Sequence, residues 1–333
     1  MSLDTPASAR PHERLAAALA DDLTGVNALI RDRMASRHAP RIPEVTAHLV
    51  EAGGKRLRPM LTLAAARLMG YEGSFHLNLA AAVEFIHTAT LLHDDVVDES
   101  EQRRGRPTAN LLWDNTSSVL VGDYLFARSF QLMVETGSMR VLDILANAAA
   151  TIAEGEVLQL TAARNLAATV ETYETIARGK TAALFSAAAR AGGVIAGASE
   201  AEEQALAAYG DALGLAFQIA DDLLDYEGDE GIGKNRGDDF REGKMTLPVI
   251  RAVAAADDGE RAFWQRTIGR GKVEEGDLAT ALALFERHQT LATARADALR
   301  WAETAKTALT GLPAGPIRDM LGELADYVVA RLV

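Results

Sequence analysis

Two stretches of the chain carry the same spacing of three aspartates. One reads His-Asp-Asp-Val-Val-Asp-Glu and holds Asp94, Asp95 and Asp98; the other reads Ala-Asp-Asp-Leu-Leu-Asp-Tyr and holds Asp221, Asp222 and Asp225. On a helix, positions i and i+4 lie only about 40° apart around the axis, with i+1 roughly 100° away. Each triplet is therefore expected to gather its carboxylates near one face, where three anions repel unless a cation sits among them. Hard oxygen ligands without Cys or His suit Mg²⁺, an ion that keeps waters and bridges to substrate phosphates. Two such sites facing each other would clamp a diphosphate. A lone acidic triplet is ordinarily a solvated helix face. Here both lie inside apolar helical sequence, downstream of residues 80–92 and 213–220, and carboxylates amid buried helix need a compensating ligand.

Basic residues answer the acids. Residues 53–59 read Gly-Gly-Lys-Arg-Leu-Arg-Pro, which puts Lys55, Arg56 and Arg58 just before a helix expected to open at Pro59. Cations at a helix start suit an anion, although such a group alone could be a surface patch. Arg103, Arg104 and Arg106 follow the first triplet, and Arg103 is five residues past Asp98. The forked arginine side chain suits phosphate oxygens held there by metal. Further on come Lys180-Thr181 within an apolar helix, and Lys234 and Lys244 beside a Gly- and Asp-rich loop. That loop imitates a nucleotide-binding P-loop at 228–235, but it follows a helix, carries two acids in the cradle and lacks Ser or Thr after Lys234. Nucleotide hydrolysis is rejected.

The elements that position these residues read as helices. The chain has 333 residues, 48% of them hydrophobic, enough for a large core. Alanine and leucine dominate, strand alternation is absent, and Gly53-Gly54, Gly192-Gly193, Gly210 and Gly311 read as helix ends. With no linker-like stretch in the middle, the expectation is all-α: a disordered N-terminus at 1–12 and one helical domain over 13–333. No apolar run approaches the ~18–20 residues of a membrane span. No signal peptide is expected, the first residues being polar without an apolar run, so the sequon at Asn115 is not expected to be used. The absence of cysteine removes disulfides and thiolate chemistry and fits a reducing, cytoplasmic compartment. A net charge of −13 argues against nucleic acid.

Together these residues resemble the trans-isoprenyl diphosphate synthase family over nearly the whole chain from residue 12. The matched motifs are Gly-Gly-Lys-Arg-Leu-Arg-Pro, Asp-Asp-Val-Val-Asp followed by Arg103-Arg104-Gly105, Gly179-Lys180-Thr181, Phe217-Gln218-Ile219-Ala220 leading into the second triplet, and Gly243-Lys244-Met245-Thr246-Leu247-Pro248. Stretches 85–99, 118–130 and 152–160 look most like bacterial octaprenyl or decaprenyl synthases, which make quinone side chains. The resemblance implies an all-α isoprenoid-synthase fold with a central cavity, and a homodimer. It implies a reaction in which an allylic diphosphate ionises, isopentenyl diphosphate adds to the cation, and the departing diphosphate takes the proton, so that no dedicated base is needed. It also implies Mg²⁺, three ions per active site, and a lipophilic product that favours transient membrane contact.

Residue by residue, the resemblance assigns Asp94, Asp95, Asp98 and Asp221 to Mg²⁺ on the allylic diphosphate, with Asp222 and Asp225 behind them. Arg103, Lys180, Lys244 and Lys234 contact its oxygens, and Gln218 and Thr181 add polar contacts. Isopentenyl diphosphate binds without ionising, so its site uses cations: Lys55, Arg58, Arg104 and His87. By itself, a His in an apolar helix is more often a core residue.

Product length follows from the wall above the first triplet. Short-chain members carry aromatic residues where this chain has Ala89 and Thr90, with Ile86 and Val83 one and two turns further on. Each turn advances about 5.4 Å, roughly one prenyl unit, so the resemblance implies about forty to fifty carbons. The floor is expected near Leu142, Leu145 and Ala146. A shorter-chain synthase is the nearest alternative. A cyclase or head-to-head enzyme would not need the second cationic site, and a non-catalytic regulatory subunit would be expected to have eroded aspartates.

Overall fold

The computed structural model describes residues 10–51, 54–103, 105–227 and 236–330. Its helices in chain order are α1 (Pro11–Ala18), α2 (Ala20–Met34), α3 (Arg41–Glu51), α4 (Leu57–Leu68), α5 (Phe75–Val97), α6 (Ala109–Leu112), α7 (Asn115–Glu135), α8 (Met139–Ala162) and α9 (Val170–Ala177). They continue with α10 (Ala183–Ile195), α11 (Glu200–Glu227), α12 (Asp238–Glu242), α13 (Leu247–Ala255), α14 (Asp258–Trp264), α15 (Asp277–Arg287), α16 (Thr290–Ala308) and α17 (Pro316–Ala330). Strand structure among the described residues is one ribbon, Gln102–Arg103 paired antiparallel with Arg106–Pro107, with Gly105 at φ 73° in its turn. The fold is all-α, as expected. Residues 1–9 lie outside the described residues, while Pro11 and His12 already form the first turn of α1.

The chain forms two compact units. The first comprises Met1–Ala149, Leu184–Gly210 and Ala308–Leu324; the second comprises Ala150–Ala183, Asp211–Thr307 and Ala325–Val333.

In the first unit α5 is the core helix. It packs against α2, α4 and α7, and every residue from Leu79 to Ile86 is buried. At 23 residues, α5 is long and apolar enough to cross a membrane, contrary to the expectation from sequence, yet two-thirds of its apolar window is buried inside the protein. A helix apolar on all sides is what a core helix requires. Its start is tied down by Asp22 of α2, which accepts from Arg67 of α4 at 2.6 and 2.8 Å and from His76 of α5 at 3.1 Å. The helix expected at Pro59 begins two residues earlier, at Leu57. Pro59 still falls in the first turn, where its missing N–H costs nothing.

Two of the expected glycine breaks are packing positions instead. Gly192 and Gly210 sit inside α10 and α11, and a Cβ on either would lie 2.2 Å from the Thr62 carbonyl or 2.5 Å from the Phe185 carbonyl.

In the second unit an aromatic cluster fixes the end of α11. Tyr226 meets Phe285 edge-on at 5.1 Å, Phe285 stacks on Trp264 at 5.8 Å, and Trp264 contacts Phe240 at 6.3 Å. Tyr226 also shares a hydrogen bond with Thr246 at 3.1 Å. This anchors the segment after Arg236 to α11.

Candidate active site

In the first unit the triplet ends α5. Asp98 is the C-cap, its N–H bonded to the Asp94 carbonyl at 2.8 Å, and Glu99 turns the chain with φ 50°. Asp94 and Asp98 are partly exposed, whereas Asp95 is fully buried. The expectation of three carboxylates on one face thus holds for the i, i+4 pair alone. Asp95 turns inward and accepts from Arg103 on Oδ1, while its Oδ2 is buried without a partner. Burial pushes the Asp95 carboxyl above its ordinary range, against the pull of Arg103, and the Asp98 charge adds to the rise. Behind the triplet, α7 approaches closely: a Cβ on Gly122 would lie 2.2 Å from the His93 ring.

The first basic cluster divides by role. Arg56, at φ 51° before α4, is ion-paired with Glu84 of α5, which holds the strained backbone in place. Arg58 donates to His87 Nε2 at 3.2 Å and lies 4.5 Å over the Phe185 ring. The structure thus brings together Arg58 and His87, two of the four residues assigned to isopentenyl diphosphate. Lys55 is exposed, and its charge, after burial, lowers the His12 imidazole. Arg104 and Lys234 lie outside the described residues, as does Gly53.

In the second unit the aspartates of α11 have three different settings. Asp221 is exposed. Asp222 is buried and accepts from the Tyr173 hydroxyl at 2.5 Å and from Gln218 Nε2 at 2.7 Å. Asp225 caps α12, accepting from the backbone N–H groups of Asp238 at 3.2 Å and Asp239 at 3.3 Å. Burial pushes the Asp222 carboxyl up to about 8, and the charges of Asp239 and Asp221 add to the rise. Lys244 pairs with Asp239 at 3.4 Å and with Glu242 at 2.5 Å.

Lys180 and Thr181 do not sit in an ordinary helix. Residues Arg178–Ala182 form one π-turn, a widened turn found often at functional sites. Two glycines allow it to press against α8, since a Cβ on Gly155 would lie 2.8 Å from the Lys180 nitrogen and one on Gly179 would lie 2.9 Å from the Gly155 Cα. Lys180 reaches Glu156 at 2.9 Å, and Thr181 donates to Gln218 at 2.5 Å. Tyr173, Glu156 and Asp239 were not singled out from sequence. Asp239 had a signal, lying in the Asp-rich segment after the second triplet; the other two had none.

Among the described residues no three His, Cys, Asp or Glu side chains converge into a ready metal cage. Mg²⁺ does not need one, because it binds through one or two carboxylates with waters and substrate phosphates completing the shell. The unpartnered Asp95 oxygen, the i, i+4 pair beside it and the mutual repulsion around Asp222 are the features a dication would relieve.

An all-α chain with two aspartate triplets and separate cationic groups defines a helical enzyme that handles diphosphates through divalent metal. Residues 39–285 match the model of the polyprenyl synthetase family, and the chain belongs to that family. It is 45% identical to the octaprenyl diphosphate synthase of Escherichia coli (strain K12), covering 96% of this chain and 98% of that one. A crystal structure of a decaprenyl diphosphate synthase from Rhodobacter capsulatus is 70% identical, with TM-score 0.94 and coverage of 97% and 100%. A polyprenyl synthase from Caulobacter crescentus CB15, complexed with calcium and isoprenyl diphosphate, is 52% identical, with TM-score 0.92 and coverage of 98% and 99%.

Proposed function

We propose that the chain is a Mg²⁺-dependent trans-polyprenyl diphosphate synthase. It elongates an allylic diphosphate with successive isopentenyl diphosphate units to about forty to fifty carbons, a length that the small side chains of Ala89 and Thr90 support at roughly one unit per helical turn. The product serves as a quinone side chain. The observation that carries the reading is the intact pair of aspartate triplets, each with an exposed or half-exposed carboxylate beside a buried, anchored one.

Asp94, Asp95, Asp98 and Asp221 would hold Mg²⁺, Asp95 through its unpartnered Oδ2, with Asp222 and Asp225 behind them, and three ions would complete the loaded site. Mg²⁺ held by these carboxylates would supply stabilisation of the charge that develops on the leaving diphosphate. Arg103, Lys180, Lys244 and Lys234 steady its oxygens, with Thr181 and Gln218 beside them. Lys55, Arg58, Arg104 and His87 hold isopentenyl diphosphate without metal. Arg58 donates to His87 Nε2, which orients the guanidinium fork.

Residues 13–333 work as one functional domain, in the cytoplasm, as a homodimer. The exposed apolar side chains of α7 support the dimer: Leu120, Phe130 and Val134 are 61%, 41% and 63% exposed, and such patches mark interfaces. The test is incubation with labelled isopentenyl diphosphate and farnesyl diphosphate, with and without EDTA, followed by product sizing. Metal-dependent growth to a long chain is expected. No incorporation would overturn the reading, and a product stopping at three or four units would leave the shorter-chain alternative.

A further inference from the structure

Tyr173 of α9 lies outside every motif that assigned a site residue, yet it ends a continuous ladder of hydrogen bonds in the second unit. Its hydroxyl donates to Asp222 Oδ2 at 2.5 Å, Gln218 Nε2 donates to Asp222 Oδ1 at 2.7 Å, and Thr181 Oγ1 donates to Gln218 Oε1 at 2.5 Å. The bonds run in one direction along the ladder. Gln218 turns its amide nitrogen to Asp222, which places its carbonyl toward Thr181, and the Thr181 hydroxyl donates to it.

The ladder links three elements. Tyr173 belongs to α9, Gln218 and Asp222 to α11, and Thr181 to the π-turn that also carries Lys180. A π-turn is rare in helices and depends on what packs around it. Gly155 and Gly179 determine its approach to α8 through close backbone contact, and the ladder determines its approach to α11 through hydrogen bonds. Both oxygens of Asp222 are occupied, and with Tyr173 itself buried, water cannot replace its hydroxyl.

We propose that Tyr173 is a positioning residue: its hydroxyl anchors Asp222, and through Asp222 and Gln218 it sets the placement of Thr181 and Lys180. The inference rests on the reading of Thr181, Gln218 and Lys180 as contacts of the allylic diphosphate. A tyrosine that merely fills the core would contribute its ring, which Tyr173→Phe retains. Only the hydroxyl is removed.

The test compares Tyr173→Phe with wild type in three measurements. These are KM for each diphosphate, equilibrium binding of a non-ionising allylic thiolodiphosphate with Mg²⁺, and the melting curve by circular dichroism. Outer partners of metal and ligand groups typically contribute 10–100-fold. The expected result is a rise of about 10-fold in allylic KM and in the analogue's dissociation constant, with the isopentenyl KM unchanged. Combining Tyr173→Phe with Asp222→Asn should add little to the Asp222→Asn defect, since both cut the same ladder. Unchanged analogue binding, equal rises in both KM values, or fully multiplicative defects would each overturn the proposal. If Tyr173→Phe does not fold, Tyr173→His takes its place: a rise in the allylic KM alone supports the ladder, and equal rises in both KM values overturn it. A wild-type enzyme that incorporates no isopentenyl diphosphate would strike at the function itself. An active wild type beside an unmoved Tyr173→Phe removes only this inference.

Discussion

Arg103 grips one oxygen of Asp95 twice, with Nε at 2.8 Å and Nη2 at 2.7 Å from Oδ1. Asp95 is the second member of its triplet, and Asp222 holds the same place in the other. Both are buried and both accept from a residue outside the triplet, Arg103 in one case and Tyr173 in the other. In both triplets the second aspartate is therefore anchored inward, while the first, Asp94 or Asp221, stays partly or fully exposed. This separation predicts two kinds of mutant.

Asp94→Ala or Asp221→Ala should keep the fold and lose activity. Each removes a partly or fully exposed carboxylate, so little burial is lost, while under the proposed assignment the leaving group would lose a metal ligand. Losses on the order of 10²–10³-fold in kcat are expected, as for removal of a group that stabilises transition-state charge. Arg103→Ala should instead cost stability as well, by about 3–5 kcal/mol, because it leaves a buried carboxylate unpaired. Turnover assays paired with denaturant melts separate the two. Near-wild-type turnover of Asp94→Ala at saturating Mg²⁺ would refute its assignment.

The two diphosphates should separate by KM. Lys55→Ala is expected to raise KM for isopentenyl diphosphate, and Lys180→Ala to raise KM for the allylic substrate, each by about 10-fold or more for loss of a charge-assisted contact. A rise confined to the allylic KM in Lys55→Ala would show that the division of roles is wrong.

The glycine pair under the π-turn predicts a positional defect. Gly155→Ala puts a methyl 2.8 Å from the Lys180 nitrogen, so either α8 or the turn must shift. Overpacking of this kind costs about 1–3 kcal/mol. The melting midpoint should fall, and the allylic KM should rise more than the isopentenyl KM. An alanine accepted with neither change would show that the turn has slack.

Acid should act through Asp22. Burial opposes its ionisation, but hydrogen bonds from Arg67 and His76 outweigh that and hold the carboxyl below its ordinary range. A depressed folded pKa contributes stability above the unfolded value, and that contribution is lost as pH falls through the folded one. Asp22→Asn should thus be less stable than wild type at pH 7, by about 1.5–3 kcal/mol for bonds to a charged group. The gap should close as pH falls below about 4, near the unfolded value. Urea melts across pH 3–7 give the test, and a gap that widens in acid would contradict the sign.

The residues differ in how far sequence disclosed them. The i, i+4 aspartates were legible because helical geometry alone puts them on one face. The inward turn of Asp95 and Asp222 was not, because it depends on Arg103 across a ribbon and on Tyr173 forty-nine residues away. Helical composition was legible from alanine and leucine, but Gly192 and Gly210 read as helix ends because a close backbone approach and a cap call for the same residue. The π-turn at Lys180 has no residue signature of its own. Its cause, a glycine on each of two elements, is visible only once α8 lies beside it.

Product length is the prediction most dependent on one wall. Ala89 and Ile86 are fully buried in the first unit, and Thr90, one residue on, bonds its hydroxyl to the His87 carbonyl at 2.8 Å. Small residues here admit two readings. They either pack a helix interface, the ordinary role, or leave room for a growing chain. Ala89→Phe tells them apart, since a ring at this turn adds bulk where the second or third prenyl unit would pass. If the face lines the tunnel, elongation should stop at about fifteen to twenty carbons, at roughly one unit per 5.4 Å turn, with the first condensation intact. If it only packs helices, the ring should destabilise the fold by about 1–3 kcal/mol and leave the product distribution of the active fraction unchanged. Chromatography of the dephosphorylated alcohols, read beside a melting curve, distinguishes the two. A full-length product from an active Ala89→Phe enzyme would remove this face from the tunnel and place the ruler elsewhere.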